Sequence, residues 1–281
     1  MASAIAFVLP RVLSKITPTF IFVPQFGLYY LTKAYRKGKK LQSPNHLADK
    51  GNIIFLPSKM TVDIALKAEK VCILLIEKYG DVVSNRELPP IDELVMTILS
   101  QHTNDINMLR AFESLKESYP TWEEVLQEQQ DKLAQVIRPS GMFNLKAKRI
   151  QATLHEIQHR VGRLDLSHLE SMEIEEAKEW LTSLHGVGPK TAAIVLLFSF
   201  GKSTLPVDTH VWRVCKRLGL IGQKVSREHA QRILEDIIPR NCIPSLNNNL
   251  VRHGREVCKA QRPRCEICFL NDICDYNIGR C

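Results

Sequence analysis

Four cysteines fall within seventeen residues between Cys258 and Cys274, in the pattern C-x6-C-x2-C-x5-C. Thiols bind metal as thiolates, and four thiolates this close together need a compensating cation. The segment "CKAQRPRCEICFLNDIC" must therefore close around metal, which constrains its fold more than any other feature of the chain. The spacing leaves two occupants open. A structural zinc takes four sulfurs but is usually built from two C-x2-C pairs, and only Cys265 and Cys268 form such a pair here. An iron–sulfur cubane also takes four thiolates, from a compact loop of varied spacing. Lys259, Arg262 and Arg264 lie between the first two cysteines. They are either ordinary solvated charges or a basic lobe suited to phosphate.

The other cysteines, Cys72, Cys215, Cys242 and Cys281, are scattered through helical or terminal contexts. In a chain of 281 residues this favours a reducing compartment over a disulfide framework. Net charge says little about partners. Lys plus Arg is 38 against 30 for Asp plus Glu, but residues 1–48 carry seven bases and no acid. That leaves 31 bases against 30 acids in the body, so any basic face has to be local.

Residues 1–60 read as an extension and linker outside the fold. "ITPTFIFVPQFGLYYLT" is apolar and aromatic, but Pro18 and Pro24 interrupt it. It falls short of the roughly 20 apolar residues a spanning helix needs, so membrane association is not expected. "YRKGKK" then adds a basic run. A targeting segment, a DNA-touching arm and a misassigned start all fit. From Thr61 the pattern turns helical, with Ile64, Ala68, Val71, Leu75 and Tyr79 on one face. The spacing predicts further helices around 91–99, 108–115, 123–137, 145–160, 173–184, 190–200, 209–218 and 226–237. No stretch alternates as a strand does, so the expected architecture is all-α.

"LHGVGPKTA" (184–192) packs two glycines, a proline and a lysine between two of these helices. Gly186 and Gly188 suit a tight turn, with the free N–H groups of the next helix pointing outward as an anion site. A nucleotide-binding loop needs a strand before it and glycine directly before the lysine, and neither holds here. Lys190 is either a surface charge beside a phosphate or a nucleophile, its neutral amine favoured by the helix dipole. In "LPVDTHVWRV", Asp208 is either the N-cap of the next helix or a carboxylate facing Lys190.

Together these segments resemble the endonuclease III family of helix-hairpin-helix DNA glycosylases. The likeness runs from about Thr61 to Ile278. "LHGVGPKTA" is similar to the family's hairpin with its catalytic lysine, and "PVDTHVWRV" to the segment with its catalytic aspartate. C-x6-C-x2-C-x5-C is the spacing of its [4Fe–4S] loop, while "ILSQHTND" and "SGMFNLKAKRI" are similar to its two DNA-probing segments. The resemblance implies two helical lobes with a DNA-binding cleft between them. Residues 83–202 would form a helical barrel with the hairpin, and 61–82 plus 203–281 a discontinuous cluster lobe. It implies a [4Fe–4S] cofactor on Cys258, Cys265, Cys268 and Cys274. It also implies double-stranded DNA with a damaged base or abasic site as the partner of a monomeric, intracellular enzyme. Lys190 would attack C1′ of a flipped nucleotide and Asp208 would assist, giving a bifunctional glycosylase and AP lyase. Gly186, Val187 and Gly188 would hold the backbone, while His102 and Met142 would probe the duplex.

Two positions depart from the family pattern. His185 stands where proline is frequent, and His102 where glutamine or asparagine is. A helix-end histidine at 102 and a core methionine at 142 are the plainer readings. Oxidised pyrimidines are the expected substrates. A thymine or uracil mismatch glycosylase on the same scaffold is the alternative, as is a DNA-binding module without chemistry.

Overall fold

The computed structural model describes residues 59–81 and 88–279. The apolar and basic stretches of the extension, the linker and Cys281 lie outside these residues. The described residues form twelve α-helices and short 3-10 turns, with no strand among them. None of these helices is long and apolar enough to cross a membrane.

The first helix, α1 (Lys59–Tyr79), starts slightly before the expected Thr61 and buries Ala68, Val71, Cys72 and Leu75. That spacing puts all four on one face. Then come α2 (Pro90–Ser100), α3 (Asp105–Ser118), α4 (Trp122–Gln127), α5 (Gln130–Val136), α6 (Phe143–Val161), α7 (Ile174–Thr182) and α8 (Pro189–Phe200). These seven surround one apolar core that runs in sequence from Ile91 to Leu196. A second core joins α1 to α9 (Thr209–Leu218), α10 (Arg227–Ile237) and α11 (Ile243–Glu256), and takes in Leu270 below the cysteine loop. A short α12 (Asp275–Ile278) closes the described chain.

α8 belongs to both cores. Its Ala192, Val195 and Leu196 pack in the first, while Leu197 packs in the second. A helix buried on several sides cannot be amphipathic, which accounts for the unbroken apolar run from Ala192 to Phe198.

Two expected features come out differently. The helix expected over 123–137 is two helices, α4 and α5. Gln151 of α6 donates through Nε2 to the carbonyls of Val125 (3.1 Å) and Glu128 (2.7 Å), satisfying the end of α4 from outside. Where the next turn would form, Gln129 N–H donates instead to Glu128 Oε1 at 2.7 Å. The second difference is α11, which carries Asn247, Asn248 and Asn249 in a row. Asparagine is a poor helix former because its side chain competes for backbone hydrogen bonds. Here Asn247 and Asn249 are buried and use their amides on other segments. Asn247 donates to Pro206 O at 2.7 Å and Asn249 to Gly80 O at 3.0 Å.

Candidate functional site

The segment 183–188 links α7 to α8. Leu184 N–H donates to Leu181 O and Val187 N–H to Leu184 O, so the turn closes on itself. Gly186 sits at φ +80, a left-handed conformation that L side chains rarely adopt. A Cβ there would lie 3.2 Å from Cγ of Arg149. α6 braces the turn from below: Thr153 Oγ1 donates to His185 O at 2.8 Å, and Glu156 Oε2 accepts from His185 N–H at 2.9 Å. Val187 is buried and its N–H is engaged, so its side chain packs the turn. Gly188 is the N-cap of α8 and Pro189 its first residue, a position where a missing N–H costs nothing. The N–H groups of Gly188, Lys190 and Thr191 have no acceptor among the described residues. Lys190 is exposed, and its side chain forms no hydrogen bond or ion pair with them.

After Gly201 the chain turns back along α8. Thr204 Oγ1 donates to Ala193 O at 2.8 Å. Glu235 of α10 accepts from Leu205 N–H at 2.7 Å, and Asn247 of α11 holds Pro206 O. Glu235 also pairs with Lys178 of α7 at 2.6 Å, tying the hairpin to the return segment. Two residues after this pinned stretch comes Asp208. Its Oδ1 accepts from both His210 N–H and Val211 N–H at 2.8 Å, capping α9. Oδ2 has no partner among the described residues. Capping and a free carboxylate oxygen thus coexist in one side chain. No ion pair joins Lys190 to Asp208; the two stand at the N-termini of successive helices.

Cys258, Cys265, Cys268 and Cys274 line one pocket, with Val214, Arg217 and His253 among its walls. Burial pushes Cys268 up to about 11 and raises Cys274 as well, and the neighbouring cysteines add to both shifts. Burial thus works against the thiolate form of Cys268 and Cys274, and a bound cation offsets it. The described residues hold no three His, Cys, Asp or Glu side chains convergent enough for a single ion. Arg217 donates to Cys258 Sγ at 3.3 Å and to Lys259 O at 2.7 Å. The buried His253 ring lies between Tyr79 Oη (3.2 Å from Nδ1) and Cys268 Sγ (3.6 Å from Nε2). Lys259, Arg262 and Arg264 are exposed.

Residues 95–240 match the family described as HhH-GPD superfamily base excision DNA repair protein. Residues 258–274, from the first cysteine of the loop to the last, match the iron–sulfur binding domain of endonuclease III. Endonuclease III of Thermotoga maritima is 35% identical over 193 residues, covering 69% of this chain and 86% of that protein. Endonuclease III of Rickettsia felis is 39% identical over 183 residues, covering 65% and 81%. The solved structure of a trapped endonuclease III–DNA covalent intermediate superposes with TM-score 0.66 at 27% identity, covering 77% of this chain and 98% of that one.

The chain belongs to the endonuclease III family.

It is a base-excision-repair glycosylase of the HhH-GPD superfamily, its family's enzymes are bifunctional glycosylases and AP lyases, and its cofactor is a [4Fe–4S] cluster. In this endonuclease III homologue the two remaining candidates both lie on exposed turns. His102 follows α2 at φ +53, and Met142 precedes α6 at φ +47. Met142 is 51% exposed, which corrects the core-methionine reading. Sequence patterns did not single out Lys146, Arg149, Thr153, Glu156, Glu235 or Asn247 as parts of the site. Each acts through a partner far away in the chain. The one local signal was a buried-face spacing on α6 filled by polar residues.

Proposed function

We propose that this enzyme excises oxidised pyrimidines from double-stranded DNA and then nicks the strand at the abasic site. Because a base inside the stack is out of reach, the nucleotide is flipped out first. The neutral amine of Lys190 forms a bond to C1′ as the N-glycosidic bond breaks, and the base leaves with the bonding electrons and a proton. Ring opening gives a Schiff base between Lys190 and the sugar. Loss of a C2′ proton then expels the 3′ phosphate, and water releases the lysine. Asp208 accepts the proton that frees the Lys190 amine and stabilises positive charge developing on the sugar. The N–H groups of Gly188, Lys190 and Thr191 hold a backbone phosphate. Cys258, Cys265, Cys268 and Cys274 are the cluster ligands, and the cluster fixes the loop that carries Lys259, Arg262 and Arg264 toward the DNA.

The observation that carries this reading is the state of two side chains. Lys190 has no partner among the described residues, and Asp208 keeps Oδ2 free while Oδ1 caps α9. A module that only binds DNA has no need of either. Borohydride trapping provides the test. The native protein should yield a covalent adduct with a duplex carrying an oxidised pyrimidine, and Lys190→Ala should yield none. Adduct formation only with mismatched thymine or uracil would move the substrate assignment to the mismatch class. No adduct with any lesion would leave a glycosylase without lyase chemistry.

A further inference from the structure

One face of α6 carries Lys146, Arg149, Thr153 and Glu156, spaced three or four residues apart and all engaged with turns from elsewhere in the chain. Thr153 and Glu156 hold His185 in the hairpin. Arg149 Nη1 donates to Gln101 Oε1 at 2.8 Å, next to His102, and its stem packs against Gly186. Lys146 is 1% exposed, and its Nζ donates to Leu99 O at 2.7 Å and Ser140 O at 2.6 Å. Leu99 lies three residues before His102, and Ser140 two before Met142. Among the described residues only His102, Met142 and Arg262 adopt positive φ without being glycine. Such conformations are strained and persist only where the surroundings impose them. Two of the three lie within three residues of carbonyls held by one buried lysine.

We infer that Lys146 is a positioning residue for base extrusion: it holds the 99–103 and 138–142 turns at a fixed separation, so that His102 and Met142 enter the duplex together. The rest of the α6 stripe ties both turns to the hairpin that presents Lys190. Burial brings the Lys146 ammonium down to about 8. Two carbonyls also leave one of its three protons without an acceptor, whereas the neutral amine has one donor for each. The inference rests on the reading that His102 and Met142 enter DNA.

The test compares single-turnover excision of thymine glycol from two duplexes. In one the lesion is paired; in the other it faces an abasic linker, so less unpairing has to be driven. Lys146→Met should slow the paired substrate by about tenfold or more and the unpaired one by about threefold or less. His102→Ala and Met142→Ala should show the same split. Arg149→Met, which releases Gln101 from a half-buried position, repeats the test should Lys146→Met fail to fold. Equal slowing of both duplexes, or of neither, by Lys146→Met and Arg149→Met while His102→Ala and Met142→Ala keep the split would overturn the inference alone. No split in any variant would remove the role of the two turns, and the inference with it.

Discussion

Asp208 Oδ1 caps α9 through two backbone N–H groups, and a serine hydroxyl can do the same. Asp208→Ser should therefore keep the melting temperature near that of the native protein while lowering glycosylase turnover by at least about a hundredfold. Asp208→Ala should lose the activity and also about 1 kcal/mol of stability. Equal activity in Asp208→Ser and native protein would show that the carboxylate serves only the helix. Lys146 gives a pH dependence with a definite sign. Its folded-state value is about 8, below the ordinary lysine value of 10.5. Between these values the unfolded chain holds a proton that the folded chain has released, so stability rises with pH, by up to about 1.4 kcal/mol per unit. The Arg149 guanidinium beside it adds to the lowering. Urea midpoints should show native protein gaining on Lys146→Met between pH 7.5 and 9.5; a constant difference would refute the assignment. Lys190 and Asp208 stood out as candidates because each sits in a local motif, glycine-proline-lysine in one and a capping aspartate in the other, and the family resemblance then gave them their expected roles. Lys146 did not, since a lysine in a helical pattern reads as solvated until Leu99 O and Ser140 O are seen above it.

At the scale of elements, the return segment 201–208 shows where sequence reading stops. Residues 204–207 are buried, and what pins them comes from α10 and α11. The three asparagines of α11 hid that helix, because propensity is a weak prior that tertiary hydrogen bonds override. Asn247→Leu, close in volume, would leave Pro206 O buried without its donor. The expected cost is about 1–3 kcal/mol in denaturant unfolding. Turnover should fall together with stability because Asp208 is two residues on, whereas Asn248→Ala, at the middle position of the run, should change stability by less than about 0.5 kcal/mol. Retention of full turnover in a folded Asn247→Leu protein would mean that the α11 contact does not set the position of Asp208.

The described residues form two apolar cores with one helix common to both. α8 carries Lys190 at its start, in the part packed with the first core, and gives Leu197 to the second. The cysteine loop belongs to the second core only. Arg213 and Arg217 of α9 donate to the carbonyls of Gly254, Cys258, Lys259 and Ala260, so the helix capped by Asp208 is fastened at its other end to the cluster loop. Metal bound only by the folded state adds its binding energy to the stability of the core it touches. Removing the iron with an oxidant and chelator should therefore act unevenly. Hydrogen exchange should accelerate first across 205–274 and α1, with 91–181 keeping most of its protection. Excision should fall with the loss of order in α9, while Lys190, on a helix still anchored in the first core, remains accessible to an amine-reactive label. Uniform loss of protection across both cores would show that they unfold as one cooperative unit, and that α8 transmits cluster loss to the hairpin instead of isolating it.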